Sequence, residues 1–113
     1  CAISHNQKGQ FVNTNADTIA AQVAIAMSVN YDVSLKYCFE FPGVLFDISD
    51  HNNTISQIRK SELEEMKSSG IINVGMLPKL SNGFDAFDNG VNQVSICGIG
   101  NLISQTNATQ LVY

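Results

Sequence analysis

Apolar and polar positions alternate along the chain with two different periods. The longest patterned stretch is Phe11 to Cys38, FVNTNADTIAAQVAIAMSVNYDVSLKYC. Within it Ile19, Val23, Ala26, Met27, Asn30 or Tyr31, Val33, Ser34 and Tyr37 recur every three or four residues. That spacing lines one side of a helix and predicts a spine from about Asn15 to about Tyr37. Asn13, Thr14 and Asn15 supply side chains that cap free N–H groups, and Asp17 brings negative charge to the positive end of the helix. Ile19, Val23, Ala26 and Met27 are expected to face a core, so Val23→Asp should be severe and Gln22→Asp mild.

Beyond Cys38 the pattern is shorter and richer in turns. Pro42-Gly43 breaks an aromatic run and leaves a short strand at Val44–Ile48. Ser49 to Thr54 reads as a turn. Ile55–Ser69 is a second helical segment, with a capping pattern at Ser61–Glu64 and a stop at Gly70. A short strand is expected near Ile71–Met76. Asp88-Asn89-Gly90 has the composition of a tight turn between Phe84–Phe87 and Val91–Ile99. Val94 and Ile96 alternate there with Ser95 and Cys97, and Thr109–Tyr113 makes a last strand. The predicted fold class is α+β: a long N-terminal helix packed on a small antiparallel β-sheet, with a short second helix in the connecting loop. An all-helical bundle is the alternative. The predicted organisation is one domain over 1–113, with an irregular lead-in at 1–10, the spine helix at 15–37 and a loop and sheet region at 39–113.

Composition narrows the class of partner. Only 14% of residues are charged, 44% are apolar and the net charge is −4. No cluster of Lys or Arg is present, which argues against nucleic acid as a partner. The neutral polar surface suits an extracellular or bacterial surface or periplasmic protein. There is no apolar run of roughly 18 residues to span a bilayer.

Candidate chemistry is sparse. Cys1 could be an N-terminal nucleophile, the acylated residue of a lipoprotein, or the start left by processing or truncation. His5 and His51 lack ligands at helical spacing, and Asp47, Asp50 and His51 read as turn residues. FDAFDNG at Phe84–Gly90 departs from the calcium-loop pattern. Glu62, Glu64 and Glu65 with Arg59, Lys60 and Lys67 form a solvated helix face. Asn52 and Asn107 open glycosylation sequons. No catalytic residue, metal site or cofactor is expected, and the protein is read as a non-enzyme.

Gly9 to Tyr31 resembles type IV pilins and type II secretion pseudopilins. The resemblance is carried by Phe11-Val12, the polar patch Asn13–Asp17, Ala20, Ala21, Ala24, Ala26 and the closing Asn30-Tyr31. Cys38, the helix at Ser61–Ser69 and Cys97 follow in the order those families show. The resemblance implies a structural subunit of a surface filament or pseudopilus, working in assembly and adhesion. Its partners would be other pilin-like subunits, met through the N-terminal helix. Membrane contact would come only through a missing apolar N-terminal segment or a lipid on Cys1. The alternative is a periplasmic or surface lipoprotein acting as a protein-binding module. A disulfide between Cys38 and Cys97 is expected, tying the end of the helix to the best strand. It would close a loop of about 60 residues for roughly 4 kcal/mol by chain entropy. Two buried free thiols are the competing reading.

Overall fold

The computed structural model describes residues 2–47, 49, 53–72, 75–104 and 107–113. The chain opens on an antiparallel hairpin, β1 (Ala2–His5) and β2 (Phe11–Thr14), paired from Ala2 with Thr14 to His5 with Phe11. Helix α1 follows at Ala16–Ser28, then strand β3 at Ser34–Phe39. Strand β4 (Gln57–Arg59) leads through one 3₁₀ turn into the short helix α2 (Leu63–Ser68). Helix α3 (Leu77–Asp88), β5 (Gln93–Gly98) and β6 (Thr109–Val112) complete the order.

The main sheet has the order β3-β5-β6-β4 and is mixed. β3 runs parallel to β5, β4 parallel to β6, and β5 antiparallel to β6. A parallel neighbour requires a crossover, and here β4, α2 and α3 lie between β3 and β5 in the chain. Helices α1 and α3 pack on the sheet face that carries Tyr37, Val94, Ile96 and Leu111. Ile58, Leu80 and Ile96 are fully enclosed in this layer.

This architecture replaces the long helix on a small antiparallel sheet. The predicted spine is two elements. The N–H groups of Asn30 and Tyr31 both close back on Met27 O (3.1 Å), ending α1 at Ser28 with Val29 as its C-cap. Four residues later Val33 is drawn into the sheet: its N–H donates to Asn92 Oδ1 (3.0 Å), and its carbonyl accepts from the N–H groups of Asn92 and Gln93. From there Leu35, Tyr37 and Phe39 alternate with Ser34, Lys36 and Cys38, a strand period.

The stripe on α1 is also corrected. Its buried residues are Ala21 and Ala24, whereas Val23 is 57% exposed and Met27 is exposed too. Small side chains let α1 lie close to α3. Val23→Asp and Gln22→Asp should therefore both shift the melting temperature little in thermal denaturation, because neither carboxylate would be buried.

A further correction concerns Leu77–Asp88. Leu77, Leu80, Phe84 and Phe87 recur at helical spacing, with Pro78 in the first turn, where its missing N–H costs nothing. Asp88-Asn89-Gly90 is the helix stop, not a hairpin: Gly90 has φ +99° and its N–H bonds Phe87 O. At 44–48 the described residues hold one bridge, Leu45 to Thr54, and at 71–76 no strand. The predicted lead-in contains β1. Cys1, Asp50, His51 and Asn52 lie outside the described residues.

Candidate active site

Parallel strands leave their C-terminal ends beside helix N-termini, and crevices at those ends are where open α/β sheets bind ligands. Here β3 ends at Phe39 and β5 at Gly98, next to the first turns of α1 and α3. Asp17 lies in the first turn of α1. Asn15 caps that turn, its Oδ1 accepting from the Asp17 N–H at 2.9 Å. Lys79 lies in the first turn of α3, which no side chain caps. The Lys79 ammonium donates to both carboxylate oxygens of Asp17, at 2.9 and 3.1 Å. Both side chains are mostly buried, 18% and 19% exposed. The ammonium also sits 5.9 Å from the centre of the Phe39 ring.

Tyr37 holds this arrangement from below. Its hydroxyl donates to the Asp17 backbone carbonyl at 2.9 Å, locking the first turn of α1 to β3. Burial, helped by the charges of Asp17 and Asp85, pushes its pKa up from 10.0 to about 12. A raised folded-state pKa means that this contribution to stability is complete below pH 10 and is lost as pH rises toward 12. Melting curves of wild type and Tyr37→Phe should therefore converge between those values, since the variant has no such proton to lose.

An apolar cleft of about 350 Å³ opens beside the ion pair, lined by Phe39, Phe41, Val44, Ile71 and Met76 among others. Its far wall is held by Thr109, which is fully buried. Thr109 Oγ1 accepts from the Val44 N–H (2.8 Å) and donates to Ile55 O (2.6 Å). Gly43 passes so close that a Cβ there would stand 2.7 Å from Thr109 Oγ1 and 3.0 Å from its backbone nitrogen.

The residues singled out in the sequence lie elsewhere. His5 is exposed on β1, with Nδ1 3.2 Å from Asn6 O. FDAFDNG is the end of α3, and Asp88 there pairs with Lys60 and accepts from the Tyr113 hydroxyl. Those two partners, Lys60 foremost, hold the Asp88 carboxyl below its ordinary range. Glu62 accepts from the Arg59 N–H, and Asp47 from Ser49. Asn107 has φ +60°. Among the described residues no group of three His, Cys, Asp or Glu is gathered for a metal. Cys38 and Cys97 are register partners across β3 and β5, and both are free thiols.

Asp17 and Lys79, neither of which the sequence reading singled out as a site residue, thus meet at this candidate site. Asp17 reads there as a capping charge. Lys79, whose positive charge stands at the positive end of a helix, is the informative one: that placement is unfavourable unless an anion compensates it.

Residues 1–98 match the sequence profile described as the Amino acid kinase family. The chain belongs to this family. It is 44% identical over 110 residues to the acetylglutamate kinase of Cytophaga hutchinsonii, covering 97% of this chain and 42% of that protein. It is 49% identical over 94 residues to the acetylglutamate kinase of Phocaeicola vulgatus, covering 83% of this chain and 37% of that protein. The chain therefore spans about two fifths of the length of these curated relatives. Among solved structures, smu.665 of Streptococcus mutans superposes with a TM-score of 0.71 at 27% identity, over 84% of this chain and 36% of that one. Giardia carbamate kinase superposes with a TM-score of 0.69 at 13% identity, over 97% of this chain and 39% of that one, a likeness of fold alone.

Membership in a kinase family overturns the pilin and lipoprotein readings. With them fall the expectations of a non-enzyme, of filament subunits as partners, and of a place on the cell surface or in the periplasm. The residues that carried the resemblance have other work. Asn13–Asp17 end β2 and begin α1, and Ala20, Ala21 and Ala24 pack α1 closely on its neighbours, while Ala26 is exposed. Among the described residues no helix is long and apolar enough to cross a membrane.

Proposed function

We propose that the chain carries the nucleotide side of an acetylglutamate kinase and the lysine that assists phosphoryl transfer. The observation that carries this reading is the paired Asp17 and Lys79 at two adjoining helix N-termini. Helix N-termini and an ammonium together favour phosphate oxygens. Phosphoryl transfer needs little covalent help from a protein; it needs positioning and charge where the transferring group spreads its own. Lys79 supplies that charge, Asp17 fixes the ammonium, and Tyr37 fixes Asp17. The cleft beside Phe39 and Met76 offers an apolar slot of a size and lining suited to a purine base.

The acceptor follows from the chemistry of acetylglutamate. It has no hydroxyl and its nitrogen is acylated, so a carboxylate oxygen is its nucleophile and an acyl phosphate the product. Two measurements on the full-length gene product test the reading. ATP should protect Lys79 from amine-directed labelling, and hydroxylamine should trap an acyl phosphate formed from ATP and acetylglutamate. If no hydroxamate forms while the protein is folded and binds ATP, acetylglutamate is not the acceptor.

A further inference from the structure

On the sheet face turned away from α1 and α3, Cys38 and Cys97 stand opposite each other. They are register partners in the parallel ladder of β3 and β5, as are Lys36 and Ser95 one step away on the same face. Neighbouring strands lie about 4.8 Å apart, within the Cα separation of about 4.4 to 6.8 Å that a disulfide spans. The surroundings of the two thiols differ. Cys38, on the edge strand, is exposed, whereas Cys97 is buried. Burial first, and then the neighbouring Cys38, push the Cys97 thiol pKa up, while Lys36 pulls it down. The same face is folded over by the chain after β5, where the Lys36 ammonium donates to Leu102 O at 3.0 Å.

We propose that Cys38 and Cys97 are a reversible dithiol–disulfide pair that exchanges with small-molecule disulfides, with Cys38 attacking and Cys97 resolving. In the first step the Cys38 thiolate attacks one sulfur of R–S–S–R. The S–S bond breaks, R–S⁻ leaves, and a mixed disulfide stands on Cys38. In the second step Cys97 gives up its proton and its sulfur attacks Cys38 Sγ, expelling the second R–S⁻. Two protein thiols become one disulfide, and one small disulfide becomes two thiols once the leaving thiolates are protonated. The two electrons pass from the protein sulfurs to the small molecule. The order of attack follows exposure, since Cys38 is an exposed residue and Cys97 a buried one. The bond would cross-link β3 and β5 just before Phe39 and Gly98. Gly98 is itself tied to the loop at the site by its N–H, which donates to Pro42 O at 3.0 Å. This proposal stands independently of the kinase reading.

The test uses folded protein with Cys1→Ser, treated with oxidised glutathione and mapped without reduction. The expected product is a Cys38–Cys97 linkage with a mass loss of two hydrogens, reversed by dithiothreitol, after a transient glutathione adduct on Cys38. Adding Cys97→Ala should leave that adduct stable at Cys38, and adding Cys38→Ala should leave Cys97 unmodified. A lasting adduct on Cys38 while Cys97 is present would overturn the proposal. So would adduct formation at Cys97 without Cys38, or no linkage in the folded protein under conditions that link it when unfolded. The time course with both cysteines present decides the matter even if a substituted variant fails to fold, as circular dichroism would reveal.

Discussion

Lys79→Ala is expected to lower kcat for acyl phosphate formation by about 10²- to 10³-fold, the scale for losing one charge-stabilising donor in a transition state. The KM for acetylglutamate should change little, because the ammonium is placed to follow charge on the transferring group. Lys79→Arg should recover only part of the rate: the guanidinium keeps the charge but cannot occupy the same point over Phe39. Asp17→Asn should lose less than Lys79→Ala, since Lys79 remains and only its anchor weakens. Truncation at Lys79 also leaves the mostly buried Asp17 carboxylate unpaired, for about 1 to 3 kcal/mol of stability. Steady-state kinetics beside urea denaturation separate the two effects. A variant with wild-type kcat would remove Lys79 from the chemistry, whatever it did to stability.

The physics of Lys79 also explains what the sequence could and could not reveal. Val94 and Ile96 alternating with Ser95 and Cys97 announced β5, because a strand is a local pattern with a local cause. The same alternation from Val33 to Phe39 was equally present. It was hidden because α1 precedes it with no glycine or proline between, so one helical period could be drawn through both. On α1 the larger side chains Ile19, Val23 and Met27 draw the eye, yet Ala21 and Ala24 are the buried ones. Hydrophobicity ranks side chains by transfer free energy, whereas close helix packing selects for size, and in α1 size decided. The ion pair was the least legible part. Asp17 and Lys79 meet only because a crossover returns the chain to the same end of the sheet, and no periodicity encodes that meeting. Its one local trace is Pro78-Lys79 opening a helix, a cation where the backbone already supplies positive charge.

Thr109→Val is the second large effect, with an expected loss of about 2 to 4 kcal/mol and no change in side-chain shape. Oγ1 serves two buried backbone groups at once, the Val44 N–H and the Ile55 carbonyl, and a methyl group would leave both without a partner. Each orphaned group costs about 1 to 3 kcal/mol. For a domain of this size that corresponds to a fall in melting temperature of roughly 10 °C or more. Thr109→Ser, which keeps the hydroxyl and loses a methyl, should lie much closer to wild type. Val44 also lines the apolar cleft, so nucleotide affinity should weaken in Thr109→Val even well below its melting temperature. Equal melting temperatures for the valine and serine variants would show that the hydroxyl does not brace this wall.

The order β3-β5-β6-β4 has a consequence for how the chain folds during synthesis. β4 ends at Arg59, but the strand beside it, β6, begins only at Thr109. β3 likewise waits for β5, which starts at Gln93. As the polypeptide leaves the ribosome, α1 and α3 can form early, while two strands remain extended with their ladder groups open to other chains. Loop closure has to be met before those long-range pairs give anything back, which slows folding relative to a helical bundle of equal length. The sheet closes only when the strand that emerges last of the four slips into its interior. A nascent chain stalled before Thr109 would therefore carry an unpaired β4, and it is at that stage, not after release, that aggregation and chaperone capture should be greatest.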